Sequence, residues 1–298
     1  MLLKKIIIDT DIGDDIDDAF ALALLSRMEG VEVVGVTTVF RNTLDRAQQA
    51  IHLLKALGKE IPVYAGERLP IKEHVHPFSF EKGDNLENAH TCQWGKECEN
   101  YPVREGAVDF IIECAQKYGK DLVIMPIGPL TNIARAIQKA PQIMKKVGQI
   151  VQMGGWFTNY LPEWNIVCDP EAANIVWSFG LPVYAVGLDV TLQCSFDEGM
   201  LQEFKTSSLI HNKIIMGWFE RWFNSFRFKK SVMHDPLAIA SYFDEVCTFE
   251  KKYVKVNLTD KRGAVECYDS PFDGSYPIHT AVSVDKEKFY SIVRRTLL

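Results

Sequence analysis

One stretch near the start of the chain restricts its fold more than any other: Ile6-Ile7-Ile8-Asp9-Thr10-Asp11-Ile12-Gly13-Asp14-Asp15-Ile16-Asp17-Asp18-Ala19, with six aspartates within ten residues. The apolar run before them predicts a short buried strand. The run after them, Ala19 to Leu25, predicts a helix that is apolar nearly all round and ends near Gly30. The aspartates therefore sit where a strand turns into a helix. Like charges this close raise one another's pKa unless something positive lies among them. No lysine or arginine falls between Lys5 and Arg27, so the economical answer is a metal ion. Carboxylates without cysteine or histidine suit a hard cation, Ca²⁺ or Mg²⁺. Helix capping explains one or two of Asp15, Asp17 and Asp18. It does not explain Asp9 and Asp11, which extend an apolar strand where Asp is disfavoured.

The same βα rhythm continues. Val31 to Val39 reads as a second buried strand, Thr43 to Gly58 as an amphipathic helix and Ile61 to Gly66 as a third strand. Residues 70–102 break the pattern: they hold His74, His76, His90, Cys92, Trp94 and Cys98 without a period, and read as a flexible lid rather than a zinc site. A helix over 105–119, strands at 121–127 and 149–153, a helix over 170–180 and a strand at 182–187 follow. Residues 195–243 read as mainly helical, a late strand group falls at 254–258, 264–268 and 281–284, and a last helix covers 285–298. Alternating strands and helices predict a mostly parallel Rossmann-like α/β sheet flanked by helices, with a helical cap region and a few late strands, all in one domain over 1–298.

Composition narrows the function. A length of 298 residues, 47% hydrophobic and 24% charged, is that of an ordinary globular protein. The net charge of −6 argues against nucleic acid as a partner, and no apolar run reaches membrane-spanning length. Seven scattered cysteines without a CxxC pair, and a first strand that follows Met1-Leu2-Leu3-Lys4-Lys5 directly, predict a soluble, cytoplasmic chain with reduced thiols.

In open parallel sheets, ligands bind beyond the carboxyl ends of the strands. Asp9 and Asp11, Thr37-Thr38 and Asn42, Ile127-Gly128 and Met153-Gly154-Gly155 all fall there. Downstream, Asp169-Pro170 is an ordinary helix start. Glu163 and Asn165, either side of Trp164, have no such structural excuse and suit sugar hydroxyls. In Met233-His234-Asp235-Pro236, Asp235 suits an N-cap or a ligand, and His234 an acid or base. The aromatics between Trp218 and Phe226 suit either a stack on a flat base or a core stripe.

Five motifs occur here in the order and spacing of the nucleoside hydrolase (inosine-uridine nucleosidase) family: Asp9-x-Asp11-x-Gly13 leading to Asp17-Asp18-Ala19, Gly128-Pro129-Leu130-Thr131-Asn132, Met153-Gly154-Gly155, Glu163-Trp164-Asn165 and His234-Asp235-Pro236. The chain resembles that family from its first strand to residue 236. The resemblance implies cleavage of the N-glycosidic bond of ribonucleosides with Ca²⁺, and a homodimer or homotetramer. It implies that Asp11 binds the cation and takes a proton from water, with Asp18, Asp235 and the carbonyl of Ile127 as further ligands. Asp17, Asn42, Met153, Asn159, Glu163 and Asn165 would hold the ribose, and His234 would protonate the leaving base. One departure concerns Asp14-Asp15-Ile16, which stands where the family usually has a single residue. The helix pattern aligns Asp17-Asp18 with the family pair and leaves Asp15 as the alternative ligand. No match to the family's base-recognising histidine stretch appears within 70–102, so base preference stays open. Two other classes compete: a Mg²⁺ phosphatase of the haloacid dehalogenase type, using Lys229 or Lys230, and a nucleoside- or sugar-binding protein without turnover.

Overall fold

The computed structural model describes residues 3–72, 91–196, 198–225 and 231–298. His74, His76, His90, Phe226, Lys229 and Lys230 lie outside the described residues. Among the described residues the strands are β1 (Lys4–Thr10), β2 (Val31–Thr38), β3 (Val63–Ala65), β4 (Arg104–Glu105), β5 (Leu122–Pro126), β6 (Gln149–Met153), β7 (Val183–Val186), β8 (Cys247–Val256), β9 (Val265–Tyr268) and β10 (Pro277–Val284). The helices are α1 (Asp17–Arg27), α2 (Thr43–Ala56), α3 (Ala107–Tyr118), α4 (Thr131–Lys139), α5 (Pro141–Met144), α6 (Trp164–Cys168), α7 (Pro170–Trp177), α8 (Leu188–Thr191), α9 (Glu198–Thr206), α10 (Ile210–Ser225), α11 (His234–Phe243) and α12 (Lys286–Leu297).

All ten strands form one sheet in the order β4-β3-β2-β1-β5-β6-β7-β10-β8-β9. It is parallel from β4 to β10 and antiparallel through β8 and β9. This is the expected α/β architecture, with the late strands joined to the same sheet. The chain winds outward from β1 to β3 on one side and from β5 to β7 on the other. The strand order therefore reverses between β1 and β5, where a crevice opens at the carboxyl ends. β1 carries Asp11 to that crevice, β5 carries Ile127 and β6 ends at Met153.

Helix α1 earns its all-apolar pattern by being buried on every side: Asp17 to Ser26 are all inaccessible, and α2, α10, α11 and α12 pack around it. Its buried aspartates thus enter the protein with it. Where the boundaries differ from expectation, one-sided burial is the reason. β8 begins at Cys247 and β10 at Pro277, earlier than their apolar cores at 254 and 281. The outer part of β8 alternates exposed Thr248 and Glu250 with half-buried neighbours, a pattern that a search for apolar runs misses. Residues 195–243 divide into α9, α10 and α11, with Ser195 bridging antiparallel to Val232 between them.

Candidate active site

The crevice holds a cavity of about 400 Å³, within the size of small-molecule sites. Its lining includes Asp11, Asp14, Asp15, Asp17, Asp18, Ile127, Met153, Glu163, Asn165, His234 and Asp235. These come from β1 and the turn after it, from α1, from the ends of β5 and β6, and from α6 and α11. Segments as far apart in sequence as Asp11 and Asp235 thus converge on one space.

The turn that carries the aspartates is built tightly. Gly13 has φ 123°, and a Cβ there would lie 2.5 Å from the Thr91 hydroxyl, so the position needs glycine. A Cβ on Gly128, opposite, would lie 2.7 Å from Oδ1 of Asp11. The two extra residues in this turn have work of their own. Asp14 pairs with the guanidinium of Arg46 at 2.7 Å, and the carbonyl of Asp15 takes the Gln93 side-chain N–H at 2.6 Å. Cys92 donates to the carbonyl of Asp14 at 3.1 Å. Residues 91–93 therefore dock on the aspartate turn, an ordered seat within what the sequence read as a lid.

Arg46 is the residue that sequence reasoning missed. It is fully buried on α2 and donates to the carbonyls of Phe40 and Ile12 at 2.8 and 3.0 Å, and to that of Asp11. The aspartates thus have a cation among them after all, delivered from 32 positions beyond Asp14. It pairs with Asp14 and leaves Asp11, Asp17, Asp18 and Asp235 without an ion pair among the described residues. Oδ1 of Asp18 accepts the Thr10 hydroxyl at 2.5 Å, and Oδ2 of Asp17 the backbone N–H of Asp235 at 3.1 Å. One ligand oxygen from each of Asp17, Asp18 and Asp235 lies within 4.8 Å of the others, all three residues buried. Burial drives all three carboxyls well above the usual range, and their neighbours' negative charges push them further. Burial likewise lifts Asp11 to about 7, against the pull of Arg46. A buried set of oxygen donors that repel one another is the donor chemistry of a hard divalent cation, and this triad can hold a metal ion.

Capping does not explain these groups. The N-cap of α1 is Ile16, without a side-chain cap among the described residues. Helix α11 starts at His234 with Met233 as N-cap, so Asp235 lies inside its first turn. Asp15 stands outside the triad, exposed, accepting the N–H of Ile16 at 2.7 Å. Asp17, expected at the ribose, belongs to the triad.

Glu163 corrects the sequence reading, because it does have a structural role. It caps α6, accepting the N–H of Asn165 and Ile166 at 2.9 and 3.2 Å and that of Gly155 at 3.0 Å. Asn165 donates to the carbonyl of Ile127 at 2.9 Å, which orients that oxygen. Asn42 caps α2, bonding the backbone and the carboxylate of Asp45, and does not line the cavity. Its neighbour Arg41 does, in a left-handed conformation with φ 58°. Asn159 also lies outside the lining. The Gly128–Asn132 motif is scaffold: Asn132 donates to Asp9 and to the Thr38 carbonyl at 2.7 and 3.0 Å, and Thr131 to Asp169 at 2.7 Å. Asp9, the other surprising strand aspartate, is thus a brace between strands and not part of the cavity. Asp169 caps α7 as expected. Trp218, Phe219 and Trp222 are buried in the core, where they form the core stripe, while Phe223 is exposed.

His234 is held by Thr191, whose hydroxyl lies 2.7 Å from Nδ1. Burial drives its pKa down to about 4, so the ring is uncharged at neutral pH.

Comparison with known proteins agrees with this geometry. The model of the family described as inosine-uridine preferring nucleoside hydrolase matches residues 6–291. A probable uridine nucleosidase 2 of Oryza sativa subsp. japonica is 32% identical, covering 99% of this chain and 93% of the relative. The inosine-uridine preferring nucleoside hydrolase of Crithidia fasciculata is 31% identical, covering 97% and 96%. Among solved structures, a plant nucleoside hydrolase superposes with a TM-score of 0.81 at 26% identity, covering all of both chains. A purine-preferring ribonucleoside hydrolase from Gardnerella vaginalis gives 0.80 at 29%, covering 97% and 96%. These matches remove the phosphatase reading, and among the described residues no helix is long and apolar enough to cross a membrane. The chain belongs to the inosine-uridine preferring nucleoside hydrolase family and is a ribonucleoside hydrolase.

Proposed function

We propose that the chain hydrolyses ribonucleosides to ribose and free base with Ca²⁺ held by its buried carboxylates. The observation that carries this is the convergence of Asp17, Asp18 and Asp235 with Asp11 and His234 on one cavity. Asp18, Asp235, Asp11 and the Ile127 carbonyl, oriented by Asn165, would hold the cation. Asp17 either joins them or keeps an oxygen for the ribose. A divalent cation in this set lowers the pKa of nearby water and offsets the mutual repulsion of the carboxylates.

Cleavage passes through an oxocarbenium-like sugar, with water on one face and the departing base on the other. Asp11, which lines the cavity beside the other carboxylates, would accept a proton from water. The remaining carboxylates stabilise the positive charge that develops on the sugar. Glu163, already fixed by three backbone N–H groups, and Asn165 offer rigid contacts to ribose hydroxyls, with Met153 beneath. His234, uncharged and facing the cavity, stabilises the leaving base by donating a ring N–H to the nitrogen that takes up the bond electrons.

A reducing-sugar assay over a panel of purine and pyrimidine nucleosides tests the reading and reports the base preference. Ribose release that EGTA abolishes and excess Ca²⁺ restores supports it. Binding without release would make the chain a nucleoside-binding protein. We propose further that it works as a single-domain cytoplasmic homodimer or homotetramer, which sedimentation and cell fractionation test.

A further inference from the structure

Helix α8 is four residues long, yet it reaches both walls of the cavity. Leu188 lines the cavity and donates its N–H to the Gly155 carbonyl at 2.9 Å. Asp189 holds the N–H groups of Phe157 and Thr158, each at 2.9 Å, and the Thr158 hydroxyl at 2.6 Å. Thr191 is fully buried at the other end of the helix. A threonine hydroxyl inside a helix commonly bonds a carbonyl one turn back. This one instead crosses 43 positions to His234, 2.7 Å from Nδ1, and has no other hydrogen bond among the described residues. The backbone ties the two residues together as well. Met233 donates to the Cys194 carbonyl at 2.8 Å, Phe196 to that of Ser231 at 3.2 Å, and Ser195 bridges Val232. The imidazole is therefore tied to α8.

We propose that Thr191 is a positioning residue, whose hydroxyl donates to Nδ1 of His234, puts the ring proton on Nε2 and aims that N–H at the leaving base. This rests on the role given to His234 above. A neutral imidazole carries one donor and one acceptor nitrogen, and the bond made by one decides the state of the other. If Thr191 accepted from Nδ1–H, its own hydroxyl proton would be buried without a partner, which carries a desolvation penalty. Donation satisfies both groups. The opposite tautomer would turn the Nε2 lone pair toward the electron pair that the base receives.

Thr191→Val, which keeps the shape and removes the hydroxyl, and Thr191→Ser, which keeps the hydroxyl, are compared with His234→Ala on inosine, uridine and 4-nitrophenyl riboside. The phenolate of the last leaves without help. Thr191→Val should lower kcat on the nucleosides by roughly 10–100-fold, the scale at which outer partners of a functional histidine act, with KM little changed. The nitrophenyl riboside should be spared, and Thr191→Ser should recover most of the rate. In the His234→Ala background, Thr191→Val should add no further loss. ¹⁵N NMR of the wild-type protein should show His234 protonated on Nε2 and bare on Nδ1, a readout that survives even if the valine variant does not fold. Protonation on Nδ1 would overturn the proposal. So would equal losses on both substrate classes for Thr191→Val, or no loss where His234→Ala is selective. Equal losses for His234→Ala itself would remove the leaving-group role of His234, and the proposal with it.

Discussion

Two sets of carboxylates share one cavity and differ in what holds them. In one set, Asp14 at the rim is paired with Arg46 at 2.7 Å and the buried Glu163 accepts three backbone N–H groups. On the floor, Asp11, Asp17, Asp18 and Asp235 press on one another, each lifted by burial and by its neighbours' charges. Burial alone therefore does not mark a cation site, since a satisfied buried acid needs no metal. An uncompensated group of them is a demand for a cation.

The comparison breaks first at the floor. Asp11→Asn should lower kcat on nucleosides by about 10²–10⁴-fold, the usual scale for a general base. It should also raise the melting temperature of the metal-free protein, because a strained buried charge has gone. A fall in both would place Asp11 with the scaffold. On the rim, Arg46→Met should destabilise by about 3–5 kcal/mol, the scale for breaking a buried pair. Denaturant unfolding measures this, and an unchanged midpoint would show that Asp14 and the three carbonyls need no cation.

Ca²⁺ at a hundredfold excess over its Kd should stabilise the protein by about 2.7 kcal/mol, or roughly 4 °C in melting temperature for a chain of this size. Asp18→Ala should lose that shift. If Asp15→Ala loses it while Asp18→Ala keeps it, the ligand is Asp15 and the assignment across the inserted residues is reversed.

The pH response has a definite sign. The floor carboxylates have folded pKa values above their unfolded ones, near 7 for Asp11, so they favour folding when protonated. That contribution is full below about pH 4 and is lost as pH rises through each folded value, near 7 for Asp11. His234, lowered to about 4, acts oppositely between pH 4 and 6.5, but one group does not outweigh four. Metal-free protein should therefore melt at progressively lower temperature from pH 5 to 8, and Ca²⁺ should flatten the trend. A metal-free melting temperature that rises over this range would contradict the account. The smallest effect on metal affinity is expected of Asp14→Ala, because that carboxylate is already paired with Arg46. Metal affinity should hardly change.

Much of this was legible because the strongest signals were local. Six aspartates between an apolar strand and an apolar helix located the site, and the strand-end positions of Ile127 and Met153 followed from the βα rhythm. What sequence hid was reached through space. Arg46 lies on the next helix, so a search for nearby cations could not find it. Thr191 sits in a four-residue helix too short to show a period. The capping role of Glu163 was hidden because a five-residue helix leaves no run of apolar residues behind it, so only its suitability for sugar hydroxyls showed. Asp9 and Asp11 look equivalent in sequence, and only the position of Asn132 in space separates brace from floor.

The central claim is that the floor aspartates exist to hold one divalent cation, and calorimetric titration of metal-free protein with Ca²⁺ at pH 7 tests it most directly. The account predicts one site per chain, with heat that varies with the ionisation enthalpy of the buffer, because carboxyls raised by burial and mutual repulsion release protons as the cation enters. Asp14→Ala should keep the site and Asp235→Asn should lose it. Absence of binding in the wild-type protein, together with full ribose release in EGTA, would contradict the account.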